Sequence, residues 1–525
     1  MAKVLLVNPV VREEDIPRHI PYGISLLASI AMKKGHLVQI YDANAWRKGF
    51  DVLEKVFRAD DWDVIAIGGL TTTYRFIKKA FQLAKKNSPK SILMAGGGFI
   101  TSMPQDIMGW IPEIDLGLVG EAFVTFPEVL DKIDRQDFNF SSTTGVVFRH
   151  KNGKSYLTPA KPVIKNLDDL PYPAWDLLPL DIYFKNSANL FSEESFTAKR
   201  RMDVNGSLGC GLVCKYCWHL GTTGDMIVEE DKAGENQVVF TYGRNIRYHS
   251  PSYIVNMVKH LYEVYNIDFA SFIDENLMTM DAASRGIWLN EICDLWKEKG
   301  LQPTCRQKNI PHDEDCRGVH WNGTSHAGLH KFETLKRMHE AGCTHLVYGL
   351  ESFDPNILKN LGKGSTAARN KSSVGICLSS GIKPIPNIIL GFPEETFDSI
   401  KNTITAMKEL GITAKPHFAT AYPGSEWYYS YKNSIIEQYE GDLEKYIAEL
   451  GDASSISATI SHHFTGVELI GLQEIIYKKD LRLLALAEKN WHRNRKQEQI
   501  NYPQDSINFK SKSVRGPMEA EGRTF

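Results

Sequence analysis

The feature that most narrows the fold is an alternation of wholly apolar strand segments with helical spacers, each strand ending in glycines or small polar residues. "KVLLVNPV" (3–10) reads as a buried strand, and "YGISLLASIAMKKG" (22–35) as a helix ended by Gly35. "HLVQIYDAN" (36–44) is the next strand, with Asp42 at its carboxyl end. "DVIAIGGLTTTY" (63–74), "SILMAGGGFITS" (91–102) and the shorter "DLGLVGEAFVTF" (115–126) repeat a strand, a glycine turn and a helix start. A strand apolar on both faces has to be covered on both, and the intervening helices supply the cover. The pattern therefore predicts a parallel, doubly wound α/β sheet over residues 1–142. Ligands of such sheets lie outside the strands' carboxyl ends, where these glycines and threonines gather. By themselves Gly96, Gly97 and Gly98 are equally compatible with plain tight turns.

Residues 143–200 read as a connector: a hairpin, "GVVFRHKNGKSYLTP", then proline-rich "LDDLPYPAWDLLPL". A second βα series fills residues 201–430. Its strand ends are "RMDVNGSLGC", "FASFIDEN", "VHWNGTSH", "THLVYGLES", "KPIPNIILGFPEET" and "AKPHFATAYPGSE". Six such units predict an open, partial (β/α)6 barrel with its working groups on the loops of the carboxyl face. Residues 431–500 change to amphipathic helices, including "GLQEIIYKKDLRLLALAEKNWHRNRK". Residues 501–525 lack periodicity and read as a flexible tail.

Bulk properties exclude several classes. The 525 residues suffice for two or three domains, and 42% hydrophobic content is that of an ordinary globular protein. A formal net charge of −2 gives no global attraction to nucleic acid or to an anionic membrane. "MAKVLLVNPV" is too short an apolar run for a signal peptide and is closed by Pro9. No run approaches the roughly 18 apolar residues that crossing a bilayer needs. Eight cysteines in this length do not make a disulfide framework, and Cys293, Cys343 and Cys377 read as buried small hydrophobes. A reduced, cytoplasmic setting is expected.

Three of the remaining cysteines crowd into "GSLGCGLVCKYCWH" (206–219) in the order C-x-x-x-C-x-x-C. Cys210, Cys214 and Cys217 admit three chemistries. Structural zinc wants four ligands, and adding His219 would cramp a tetrahedron into ten residues. A disulfide is disfavoured in a reducing compartment. A four-iron, four-sulfur cluster takes thiolates, and three of them leave one iron open to a further ligand. Gly206, Gly209 and Gly211 let such a loop wrap closely.

The C-x-x-x-C-x-x-C loop, with Tyr216 before its last cysteine and a barrel strand before its first, resembles the radical S-adenosylmethionine (SAM) superfamily. The domain order narrows the resemblance to its cobalamin-binding branch: "VLLVNPV" opening a doubly wound domain, then "LDDLPYPAWDLLP", then the cysteine loop. That branch includes methylases of unactivated carbon and the anaerobic oxidative cyclase of bacteriochlorophyll synthesis. The resemblance covers about residues 1 to 430. It implies a Rossmann-like cobalamin-binding domain, a radical SAM barrel, and three cofactors: a [4Fe-4S] cluster on Cys210, Cys214 and Cys217, SAM, and cobalamin.

For SAM, the resemblance implies Tyr216 near the adenine and Asp274 or Glu275 as acceptor of the ammonium. "FIDEN" stands where the family usually has Gly-Gly-Glu, so it does not decide between these two acids. Glu351 in "YGLES" would lie at the ribose, and Gly391, Phe392 and Pro393 in "LGFPEET" by the adenine. Core packing for Tyr216, a barrel arginine partner for Glu351 and a mere turn at Pro393 are the alternative readings. For cobalamin the implied residues are Asn8, Pro9, Thr71, Thr72, Thr73, Tyr74, Gly97, Gly98, Gly120 and Glu121. Asp-x-His-x-x-Gly is absent, so no histidine is marked as lower axial ligand, and His19 reads as a loop residue.

The implied activity is SAM cleavage to a 5′-deoxyadenosyl radical, followed by methylation of an unactivated carbon. Oxidative cyclisation or ring rearrangement on the same cofactors, or a sensor without turnover, are the other outcomes. Expected partners are a small-molecule or lipid substrate and an electron donor such as flavodoxin or ferredoxin, with no nucleic acid. The helical C-terminal region, with "SHHFTG" and "WHRNRK", is expected to cover the barrel mouth. Separately, "PTCRQKNIPHDEDCRGVHW" carries Cys305, His312, Cys316 and His320, a spacing that suits zinc or a second cluster. The same loop also reads as a solvated segment, or, with Arg306 and Arg317, as a contact for an anionic substrate.

Overall fold

A computed structural model describes residues 1–150, 152–187, 198–217, 224–230, 236–244, 246–313, 315–329 and 331–501. The first sheet contains β1 (Lys3–Asn8), β2 (Leu37–Asp42), β3 (Val64–Gly68), β4 (Ile92–Gly96), β5 (Leu116–Leu118), β6 (Val146–Arg149) and β7 (Ser155–Leu157). Its order is β2-β1-β3-β4-β5-β6-β7, with β1 to β5 parallel and β6 and β7 antiparallel. Both faces are covered. Along β1, Val4 and Leu6 enter one apolar core while Leu5 and Val7 enter another. This double burial is what makes the strand apolar at every position. The hairpin that the sequence assigns to the connector pairs with β5 and so extends this sheet.

The remaining strands are β8 (Arg201–Val204), β9 (Ser207–Leu208), β10 (Gly224–Glu230), β11 (Asn236–Arg244), β12 (Arg247–Tyr248), β13 (Phe269–Phe272), β14 (His320–Ser325), β15 (Cys343–Glu351), β16 (Lys383–Leu390) and β17 (His417–Phe418). β8, β13, β14, β15, β16 and β17 lie side by side in chain order, all parallel, as one six-stranded open sheet. This is the partial (β/α)6 barrel. β17 pairs with β16 only through Ile389 and Leu390, so the rest of β16 has no strand partner on that side among the described residues. Pro384 and Pro386, which cannot donate to a ladder, are tolerated there. The β10–β11 hairpin has no counterpart in the pattern read from the sequence.

The proline-rich connector joins the two sheets. Asp168 of "LDDLPYPAW" accepts the Ser250 amide at 3.0 Å and lies 3.0 Å from His249 Nδ1, at the start of the barrel helix Pro251–Tyr265. The Ala174 amide donates to Ser25 O at 3.0 Å, on the first-domain helix Tyr22–Lys33. Trp175 is buried and stacks on His260, with ring centroids 5.9 Å apart. Tyr183 donates to Asp42 Oδ2 at 2.5 Å, and Asn8 donates to Asp42 Oδ1 at 2.7 Å. The helical region after residue 425 packs on both domains, and one apolar core runs from Val7, Ile67 and Ala95 to Phe392, Trp427 and Tyr446. No helix among the described residues is long and apolar enough to cross a membrane.

On β8 a charged pair is buried between the domains. Arg201 Nη2 meets Asp203 Oδ1 at 2.8 Å and Ser271 Oγ at 2.8 Å, and Asp203 Oδ2 also accepts the Ile20 amide at 3.0 Å. Burial pushes the Asp203 carboxyl up, but Arg201, His19 and the Ile20 amide outweigh it and hold the carboxyl below its usual value. Removing one member of such a pair leaves a buried charge uncompensated. Asp203→Asn should therefore lower unfolding stability by about 3–5 kcal/mol. The double change Arg201→Met with Asp203→Leu should recover most of that loss in the same denaturant-unfolding measurement.

Candidate functional site

The cysteine loop leaves the carboxyl end of β8. It turns at Gly206, where a Cβ would stand 3.1 Å from Ile254 and 3.3 Å from Asp274 Oδ1. Asp274, just past β13, accepts the Gly206 amide at 3.0 Å and the Ser207 hydroxyl. Both its oxygens are thereby engaged in holding the loop's entry. Burial pushes this carboxyl up to about 6, against those donors. Asn276 then caps the next helix, Leu277–Ala283, by accepting from the Met278 and Thr279 amides.

Beyond Gly209, at φ +99°, the loop is fixed by backbone contacts. Cys217 donates its amide to Cys214 O at 3.1 Å, and Lys215 donates to Leu361 O at 3.1 Å. Lys215 O in turn accepts the Trp427 amide at 3.0 Å, from the first turn of the helix Glu426–Gln438. At Gly362, φ +71°, a Cβ would come 2.8 Å from Val213 O, so the cysteine loop can pass there only because the residue is glycine. Cys214 is buried, and Cys210 and Cys217 are half-buried. No disulfide forms among the described residues.

Lys363, bracketed by Gly362 and Gly364, is buried beside Cys214 and Cys210. Its ammonium contacts Glu351 Oε1 and Gly349 O, and lies 3.4 Å from the Tyr216 hydroxyl. Tyr216 donates to Glu351 Oε1 at 2.6 Å. Glu351 therefore pairs with a lysine, not an arginine, and does so at the end of β15 with φ +61°, a strained setting for a side-chain-bearing residue. Burial pushes the Cys214 thiol up to about 11 while Lys363 pulls the other way. Three thiols on one short loop, two of them beside a buried cation, fit an anionic iron–sulfur cluster, whose charge that ammonium would offset. His219, the zinc alternative's fourth ligand, lies outside the described residues.

Glu275 stands near Cys210, whose thiol is raised first by burial and further by the Glu275 charge. Burial pushes Glu275 up to about 7. The Tyr216 ring lies 5.7 Å from that of Trp427, which lies 6.1 Å from Phe392. Gly391, at φ +93°, donates to Glu395 Oε2 at 3.2 Å, and its absent Cβ leaves room for Leu469. Pro393 O accepts the His462 amide at 3.0 Å. "SHHFTG" therefore lies beside the β16 end of the barrel, and Trp491 of "WHRNRK" packs on Phe397 and on Phe464 of that same segment.

The cobalamin candidates sit at the first sheet's strand ends. Pro9 packs at Gly69, and at Gly97, φ +88°, a Cβ would come 2.7 Å from Gly69 O, so the β3 and β4 loops touch through backbone alone. Gly98 starts the helix Gly98–Ser102. Thr71, Thr72 and Thr73 form a single 3-10 turn leading to Tyr74, whose hydroxyl donates to Glu444 at 2.6 Å. At Gly120, φ +83°, a Cβ would meet Met226 Cε at 2.9 Å, which brings the β10–β11 hairpin over this end. Glu121 instead forms a buried pair with Arg247 at 2.8 Å, joining the two domains. Asn8 is spent on Asp42. These glycine-lined strand ends, where backbone meets backbone, are the kind of surface that would suit a flat corrin. His19 lies 3.2 Å from Asp203 Oδ1, on the barrel's first strand.

Lys363, Trp427, Met226 and Arg247 escape sequence reasoning. Only Lys363 carries a signal, the two glycines that frame it.

Comparison with known proteins agrees with this geometry. Residues 11–130 match the B12 binding domain family, and residues 204–407 match the radical SAM superfamily. A relative from Pyrococcus horikoshii, an uncharacterized methyltransferase, is 27% identical over 441 residues, which span 83% of this chain and 84% of that protein. The cytidylyl-2-hydroxyethylphosphonate methyltransferase of Streptomyces wedmorensis is 23% identical over 469 residues, spanning 80% of this chain and 79% of that one. Among solved structures, the radical SAM methyltransferase TsrM of Kitasatospora setae, with cobalamin and a [4Fe-4S] cluster bound, has the same fold. Its TM-score is 0.60 at 15% identity, covering 83% of this chain and 78% of that one. The chain thus carries a B12-binding domain followed by a radical SAM domain.

Proposed function

We propose that this protein is a cobalamin-dependent radical SAM methyltransferase acting on an unactivated carbon of a small molecule or lipid. The observation that carries the reading is the three-thiol loop pinned beside the Lys363–Glu351 pair, with the B12-binding strand ends joined to it through one apolar core. When bound, the cofactors supply one-electron cleavage of SAM to a 5′-deoxyadenosyl radical and a methyl group carried on cobalt. A one-electron donor of the flavodoxin or ferredoxin class would provide the reducing equivalent.

The chain's own residues hold and shield. Cys210, Cys214 and Cys217 would hold the cluster through their thiolates. Glu275, rather than Asp274, accepts the SAM ammonium, because Asp274 already holds Gly206 and Ser207. Lys363 offsets the cluster's negative charge and fixes Glu351, whose carboxylate orients the Tyr216 hydroxyl. Tyr216, Phe392 and Trp427 form an aromatic wall that excludes water, and Leu469 closes the loop at Gly391. Binding and water exclusion are what the protein must provide, so an acid–base pair is not required. The methylating reading also agrees with the methyltransferase relatives. Oxidative cyclisation on the same cofactors is separated from it by where label goes.

Anaerobically reconstituted protein given SAM and dithionite should form 5′-deoxyadenosine, and methyl-deuterated SAM should place label in the product. No 5′-deoxyadenosine would overturn the enzyme reading, and unlabelled product would overturn methylation. Gly362→Val should push Val213 out of place and drop bound iron several-fold, measured by iron content against the wild type. Lys363→Met leaves Glu351 buried without its cation; it should slow 5′-deoxyadenosine formation at least about tenfold with the iron retained.

A further inference from the structure

The insertion before β14 assembles four potential metal ligands. Cys305 lies on the short helix Thr304–Lys308 and is buried. Cys316 follows a turn closed by its amide on Asp313 O at 3.2 Å, and His320 opens β14 from a buried position. The return is tight because of Gly318, φ +102°, where a Cβ would come 2.8 Å from the carbonyl oxygens of Leu301 and Gln302. As a result, one ligand atom from each of Cys305, His312, Cys316 and His320 lies within 4.8 Å of the other three. Cys305 Sγ stands 3.5 Å from His320 Nε2, and Cys316 Sγ stands 3.9 Å from the same nitrogen.

The surroundings orient these ligands. His320 Nδ1 lies 3.2 Å from Gly342 O, and a hydrogen donated there turns the Nε2 lone pair toward the two sulfurs. The His312 and His320 rings stand at 89° with centroids 5.1 Å apart, so they approach the space between them from different directions. The Thr304 hydroxyl donates to Cys316 Sγ at 3.6 Å.

We propose that Cys305, His312, Cys316 and His320 bind one structural zinc ion, at a site separate from the cysteine loop. Two sulfurs and two imidazole nitrogens are a zinc donor set, and bonds of about 2.0–2.3 Å put tetrahedral ligands roughly 3.3–3.8 Å apart. The observed spacing reaches that with a small contraction. Four protein ligands leave no position for water or substrate, so the ion's role is to hold shape. The site also sits at the amino end of β14, five residue steps or roughly 17 Å along the strand from the carboxyl face. There it staples the preceding helix to the strand. A disulfide between Cys305 and Cys316 would leave the facing imidazoles without a reason, and an anion held by Arg306 and Arg317 would need no thiols.

The test uses the full chain, purified anaerobically with its iron, and counts metals by mass spectrometry. About one zinc per chain is expected alongside the iron. Cys305→Ser with Cys316→Ser should lose that zinc and keep the iron, whereas replacing Cys210, Cys214 and Cys217 with alanine should do the reverse. Zinc well below one per chain in the wild type, or zinc unmoved by the double change, overturns the proposal. Should the double variant not fold, His312→Ala serves, since His312 is exposed. It should speed zinc release to a chromogenic chelator by about tenfold or more, in line with the loss of one ligand from a tetrahedral set. An unchanged release rate overturns the proposal.

Discussion

The arrangement depends on how one loop is fixed in space. Its backbone is bonded on opposite sides of a single residue, Lys215, to Leu361 and to Trp427, and it passes Gly362 at a distance no side chain would allow. These are bonds between backbone groups and do not depend on side-chain rotamers. Three thiols on an untethered loop would sample many arrangements and lose conformational entropy on binding any one of them. Here most of that cost has been met by folding. The Lys363–Glu351–Tyr216 group is then built against a frame that already exists, with a lysine among sulfurs and a glutamate held at positive φ.

The second constraint is the way two sheets of different kinds are held as one body. Neither domain covers its own strand ends. An apolar core continues from the first sheet into the barrel's mouth and the C-terminal helices, and the connector is bonded to helices of both domains. Two buried ion pairs, Arg201–Asp203 and Arg247–Glu121, lie along the same seam. Buried pairs add little net stability, but they penalise wrong alignments, because a shifted partner strands a charge. A ligand wedged between the strand ends would meet walls whose positions are already set.

The fold class was legible because burial on both faces leaves a simple mark: strands apolar throughout, glycines at their ends and helices between. The cysteine spacing was legible for a similar reason, since a thiol's chemistry is local. What escaped was long-range. Nothing near Lys363 in the chain reveals that Glu351 and Cys214 are its neighbours, and nothing near Glu121 reveals its pairing with Arg247, more than a hundred residues away. The β10–β11 hairpin is half-exposed and mixed in character, so it lacks the periodicity that marks a core strand. Asp274 and Glu275 are adjacent and alike in sequence. Only the directions of their side chains separate an acid that holds the loop from one that stands beside Cys210.

The incomplete closure of the barrel carries a hazard that β16 addresses. A bare strand flank invites another chain to add itself in register, and that is how sheets begin to grow between molecules. Pro384 and Pro386 remove amide hydrogens from the unpartnered stretch, so an incoming strand would find a ladder with missing rungs. The sheet can thereby end there without becoming a seed for fibrils.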